Sequence, residues 1–198
     1  MPRKSGRPPK ADADASKQQI IDATIKLIKE QGAQAVTVRN VCQVADVGTG
    51  TFYFHFQNKD DLLMEFVRQG SFDTVELTTP LTSLADRVCE LYLHLIRQYR
   101  TLGLAFVRSF YSTENQALSA YLGAQEGSFP PGTVMARCEQ EIDAAIHAGV
   151  LPKGTDAHTL SMDVCTIVKG CVFEWALTGG TMDLEQTLRR IVGGYLRH

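Results

Sequence analysis

The stretch Thr37–Lys59, TVRNVCQVADVGTGTFYFHFQNK, reads as two short helices joined by a tight turn. Thr37 is a cap for the first helix, whose apolar side is Val38, Val41, Cys42 and Ala45. Asp46, Val47 and Gly48 interrupt that pattern, and Thr49 to Phe54 resume it as a second short helix. Two helices crossing steeply about a short turn make a helix-turn-helix, the unit that lays its second helix in the major groove of DNA. The second helix opens on small or hydroxylated residues, Gly48, Thr49, Gly50 and Thr51, and continues as Phe52, Tyr53, Phe54, His55 and Phe56. Small residues let the backbone approach closely, while hydroxyls and exposed amides bond phosphates or base edges. Phe52 and Phe56, spaced i, i+4, share one face and are expected in the core, with Tyr53 pointing outward.

These residues resemble the N-terminal domain of the TetR family of bacterial transcriptional regulators. The family's run is a hydrophobic residue, Ser, any residue, Gly-Thr, a hydrophobic residue, Tyr, two residues of which the second is often His or Tyr, then Phe. Here it stands as Val47 to Phe56, followed by Asn58-Lys59 opening the next helix. Ile20, Ile21, Ala23, Leu27, Ile28, Glu30, Gly32 and Thr37 also fall where the family places such residues, so the likeness covers roughly 17–63. Asp46 stands where a turn glycine is usual, Gly48 where a capping serine is usual, and Cys42 in place of an alanine. Asp tolerates the left-handed conformation and Gly is a weaker N-cap, so the architecture is expected to survive.

The resemblance implies an all-α fold. It divides into a flexible basic arm over 1–15, a three-helix DNA-binding domain with its helix-turn-helix over 16–60, and a helical ligand-binding and dimerisation domain over 61–198. It places Thr49 and Tyr53 on the groove-facing side, and Lys59 at a helix start that grips a phosphate. The candidate DNA-binding set is Arg7, Thr37, Arg39, Gly48, Thr49, Gly50, Thr51, Tyr53, His55 and Lys59. Two readings stay open for Arg39, a guanine contact through its two-pronged donors or a phosphate contact and solvated charge. His55 either faces the groove or packs on the first helix.

The net charge of −2 hides a split, with nine Lys/Arg against six Asp/Glu through Asp60 and eleven against sixteen beyond it. A basic head on an acidic body suits a protein that presents one end to a polyanion. The opening MPRKSGRPPK carries four positive charges and two consecutive prolines, which exclude an ordinary helix. Gly6-Arg7-Pro8 is similar to the core of an AT-hook, whose Arg lies in a narrow minor groove; a solubilising tail is the alternative. No segment has the length of an apolar membrane span and no secretion signal is evident, so a cytoplasmic protein is expected. Cys42, Cys89, Cys138, Cys165 and Cys171 show no C-x-x-C pairing and are expected as free thiols.

Past the head, helices are expected over Lys59 to about Val75, Ser83 to Tyr99, Leu102 to Tyr111, Asn115 to Leu122, Pro131 to Ala148, Asp156 to Thr178 and Asp183 to Leu196. The apolar set of the sixth, from Leu160 through Val164, Ile167, Val168, Cys171, Val172 and Trp175, is too wide for one buried side. By the family resemblance, this helix and the one before it pair with a second copy in a four-helix bundle. A monomer whose stripe is filled by its own last helix is the alternative.

TetR-like proteins hold a small molecule between the linking helix and the helices after it. Candidate lining residues are Phe66, Phe72, Tyr92, Tyr99, Phe106, Phe110 and Phe173, with His94, Arg97 and Arg108 as polar contacts, although aromatics at helical spacing also suit a plain core. An apolar pocket favours a hydrophobic effector, inward arginines an acidic one. His158, Met162 and Cys165 share one face, a soft-metal pattern that equally suits the dimer bundle, and no metal or cofactor is expected. Neither a phosphate loop, a G-x-S-x-G elbow nor H-E-x-x-H is present, so no catalytic residue is expected. The expected activity is dimeric, effector-released repression at a palindromic operator, often beside the protein's own coding region. Activation, or an architectural DNA protein without an effector, is the alternative.

Overall fold

A computed structural model describes residues 10–68, 71–111, 118 and 127–197, whose regular elements are helices, with no strand among them. The head comprises α1 (Lys10–Gln31), α2 (Val38–Ala45) and α3 (Thr49–His55), and α4 (Lys59–Arg68) leads out of it. The body comprises α5 (Leu84–Leu102), α6 (Leu104–Phe110), α7 (Val134–His147), α8 (Ala157–Leu177) and α9 (Leu184–Tyr195). Helix starts follow local chemistry: side chains of Thr37, Thr133, Asp156 and Asp183 accept from the backbone N–H three residues on, and Asn58 Oδ1 does the same for Asp61 at 2.9 Å.

In the head, Ile20, Leu27, Val41, Phe52 and Phe56 are buried together, and they are continuous with the core of the body. Removing Phe52, fully buried, would cost about 3–5 kcal/mol. Asp46 takes the left-handed conformation (φ 54°, ψ 44°) that ends α2, and Val47 N–H reaches Cys42 O at 3.0 Å. The turn therefore closes without the usual glycine, since a short Asp side chain tolerates this region. Gly103, at φ 87°, both ends α5 and begins α6, a joint that an L side chain would strain.

Two expectations are corrected, and a third lies outside the described residues. Of the arm expected over 1–15, residues 10–15 belong to α1, which begins at Lys10; Arg7 and the Gly6-Arg7-Pro8 motif lie outside the described residues. The linking helix does not run to Val75. Phe72–Thr74 is a separate 3-10 turn capped by Ser71, and Phe72 N–H bonds Gly132 O at 2.9 Å, a partner sixty residues away that replaces a helical acceptor. The helix expected over Asn115 to Leu122 falls outside the described residues apart from the buried Leu118.

Charged side chains secure the connector between α4 and α5. Glu90 accepts from Thr78 N–H and Oγ1–H and from Thr79 N–H, each at 2.8 Å. Burial works to raise the Glu90 pKa, but the Thr78 and Thr79 hydrogen bonds outweigh it and hold the carboxyl down at about 2. Arg87 donates to the carbonyls of Leu77 and Thr79 and pairs with Glu141 on α7 at 2.6 Å. Arg137 pairs with the same carboxylate at 2.8 Å and donates to Asp73 O at 3.0 Å. Glu141 is buried, so two guanidinium groups share one desolvated carboxylate.

α7 and α8 pack side by side, joined by the buried Ser161 hydroxyl, which donates to Met135 O at 2.9 Å. α9 lies on α8 and α5, yet Phe173 and Leu177 of α8 remain 51% and 61% exposed. All five cysteines are buried free thiols.

Candidate nucleic-acid interface and effector chamber

α3 is amphipathic over only seven residues, and its two faces are sharply divided. Phe52 is fully buried and Phe56, its C-cap, is 3% exposed, whereas Tyr53 is 58% exposed. Gly48, Thr49 and Gly50 are exposed, with Thr51 half-buried. A Cβ added at Gly48 or Gly50 would meet nothing within 4 Å, so the chain's own packing does not require these glycines. Gly48 is the N-cap, where glycine is favoured over alanine, but Gly50 lies inside the helix, where an unneeded glycine costs roughly 1 kcal/mol relative to alanine, recovered if another surface must approach closely.

Around this face stand Arg39, exposed on the first turn of α2, and Lys59, half-buried at the first position of α4. Thr37 is exposed, but its Oγ1 accepts from Asn40 N–H at 3.1 Å, so its first role is to cap α2. His55 turns away from the exposed face. Its Nε2 lies 2.7 Å from Ser16 Oγ, so the ring packs on the first helix, α1. Burial first, then Lys17, push the His55 pKa below its ordinary value against an opposing pull from Asp14. Sequence reasoning passes over Phe54, which is 51% exposed; its i, i+4 relation to Gly50 is the signal that points to it.

The residues expected to line an effector site separate into three groups. Phe66, Tyr99, Phe106 and Phe110 are buried and in ring contact where α4, α5 and α6 meet: Phe66 meets Phe106 edge-on at 5.9 Å, and Phe106 stacks on Phe110 at 5.4 Å. Tyr92 lies deeper. Its fully buried hydroxyl has no hydrogen-bond partner of proper geometry, and it sits beside the thiols of Cys138 and Cys165. Phe72 and His94 form an edge contact at 6.4 Å over a separate open groove of about 420 Å³ that also includes Ser71, Thr74 and Gln98.

Arg97, Arg108 and Phe173 are not brought together with the aromatic group of α4, α5 and α6. Arg97 is exposed on the outer side of α5 and Phe173 on α8. Arg108 directs Nε and Nη2 onto Ala176 O at 3.0 and 2.9 Å, tying α6 to the end of α8. The turn Ala33–Ala35 of the head packs directly on α6, so the aromatic group adjoins the head through one short helix. The described residues contain no group of three His, Cys, Asp or Glu arranged for a metal, and no helix among them is long and apolar enough to cross a membrane.

A family model described as "Bacterial regulatory proteins, tetR family" matches residues 20–66, the segment from α1 through α4. The chain is 21% identical over 196 residues to the HTH-type transcriptional regulator AcrR of Shigella flexneri, covering 94% of this chain and 90% of that one. A TetR-family regulator structure from Syntrophomonas wolfei superimposes with a TM-score of 0.61 at 20% identity, over 92% of this chain and 94% of the other. A complex of the protein SmeT with triclosan superimposes with a TM-score of 0.58 at 18% identity, over 91% of both chains. At such identities the two structures speak for the fold.

Proposed function

Because this chain belongs to the TetR family of bacterial regulators, we propose that it is a transcriptional repressor that binds a palindromic operator as a homodimer and is released by a small-molecule effector. The observation that carries this reading is the divided face of α3. Phe52 and Phe56 anchor it in the core while Thr49, Gly50 and Tyr53 stand clear of the protein. Thr49 and Tyr53 bond phosphate or base edges, Gly50 admits the backbone, and Arg39 and Lys59 neutralise flanking phosphates.

The dimer is supported by the part of α8 that α9 leaves uncovered, where Phe173 and Leu177 stay half or more exposed. A second copy would cover them and set two α3 helices at a spacing of one or more turns, roughly 34–36 Å each. The effector reading is supported by the aromatic group between α4, α5 and α6. An effector that enters there prefers one position of α4 and α6, and it loosens DNA only by its differential affinity for that state. SmeT holds triclosan on a similar fold. The protein acts in the cytoplasm, where its operator is.

Footprinting on its own promoter region tests the proposal. A protected palindrome is expected, and the double substitution Tyr53→Ala, Lys59→Ala should abolish it while leaving helical circular dichroism and dimer mass unchanged. A uniform ladder of protection would instead support an architectural protein, and unaltered affinity of the double variant would remove α3 from the interface.

A further inference from the structure

Phe54 stands out on α3 because it is apolar, half exposed, and unsupported by the core that takes its neighbours Phe52 and Phe56. Its ring meets the His55 ring edge-on at 4.8 Å and 81°, and His55 is in turn held to Ser16 on α1. The ring is thus propped outward from a fixed base. It lies i, i+4 from Gly50, whose missing side chain leaves open space. Tyr53, beside it, carries a hydroxyl that can bond a phosphate; Phe54 carries no donor or acceptor.

We propose that Phe54 is a specificity-determining residue that reads the C5-methyl group of one thymine in each operator half-site. In the major groove, that methyl is the apolar group on the base edges, and contact with an aliphatic or phenyl side chain is a direct means of recognising it. The inference rests on the reading that α3 enters the groove. It adds a base preference at one position, which Thr49, Tyr53 and Lys59 do not supply when they bond the backbone. The competing partner for an exposed phenyl ring is the deoxyribose face, which carries no sequence information.

The test uses the full-length protein and a duplex operator selected from random sequence. Each thymine is replaced in turn by deoxyuridine, which removes the methyl and nothing else. One position per half-site should weaken wild-type binding about fourfold, the value of one buried methyl-sized group. Phe54→Ala should bind more weakly overall and show no further loss at that position, with unchanged circular dichroism, and Phe54→Leu should keep the dependence. A flat deoxyuridine scan with wild-type protein overturns the inference while leaving operator binding intact. So does a Phe54→Ala variant that still distinguishes thymine from deoxyuridine at that position. A selection that yields no common sequence fails earlier, by removing sequence-specific binding itself.

Discussion

Ser16 and His55 lie 39 residues apart in sequence and 2.7 Å apart in space, joining the first helix of the head to the last residue of α3. The Ser16 hydroxyl also donates to Ala13 O at 3.0 Å, so its oxygen is left to accept from His55 Nε2–H. The angle at which α3 leaves the head is therefore set by a long-range polar contact as well as by Phe52 and Phe56. Ser16→Ala should lower stability by about 1 kcal/mol, the net worth of such a bond. It should also weaken operator binding, because α3 loses a lateral tether. Chemical denaturation and fluorescence anisotropy would measure the two effects; a loss of stability with full affinity would show the tether is not used in docking.

Gly50→Ala separates folding from binding. The added methyl meets no protein atom and improves helix propensity, so stability should rise by roughly 0.5–1 kcal/mol. Against DNA the same methyl intrudes into a packed surface, which costs about 1–3 kcal/mol, so affinity should fall roughly 5- to 140-fold. A variant that melts higher yet binds equally well would mean Gly50 does not approach the duplex.

The connector should loosen in acid. Glu90 has a folded pKa of about 2, below its ordinary 4.5, so the folded state binds fewer protons than the unfolded state between these values. Its contribution is complete above about pH 4.5 and is lost as pH falls toward about 2. Glu90→Gln should flatten that portion of the stability profile, read by thermal unfolding at successive pH values. An unchanged profile would place the acid sensitivity elsewhere.

Glu141→Gln keeps the shape of the side chain but leaves the Arg87 and Arg137 guanidinium groups facing each other across a neutral amide. Breaking such a desolvated pairing by removing one partner costs about 3 kcal/mol, or roughly 10 °C in melting temperature at this chain length. Calorimetry would detect it. A shift within about 0.5 kcal/mol would class the cluster with solvated surface pairs.

Removing Met1 to Lys10 takes away four positive charges. The dependence of log affinity on log salt should flatten by about 0.9 for each phosphate that the arm no longer neutralises. An identical slope would show that the arm does not touch DNA.

The head is legible in the sequence because its determinants are local. Thr37, Asp46 and Asn58 act within four residues of themselves, and the i, i+4 pair Phe52 and Phe56 fixes which face is buried. The last three helices are legible for the same reason, through Thr133, Asp156 and Asp183 and a steady apolar period. Long-range partners are not. Nothing near Phe72 foretells that its N–H goes to Gly132 O, so the apolar pattern extends the linking helix too far. Arg108 gives no local sign that Ala176 O will take its guanidinium, and Phe173 no sign that it will stay exposed. Periodicity identifies a helix's apolar side but does not say how much of that side a neighbour will cover.

The burial of Cys42, Cys89, Cys138, Cys165 and Cys171 makes the sulfur chemistry of this chain a gauge of its integrity. Desolvation holds the Cys89 thiol near 11 and the Cys138 thiol near 12, where almost no reactive thiolate exists at neutral pH. A maleimide or aromatic disulfide dye will therefore colour Cys89 and Cys138 only as fast as the helices around them part.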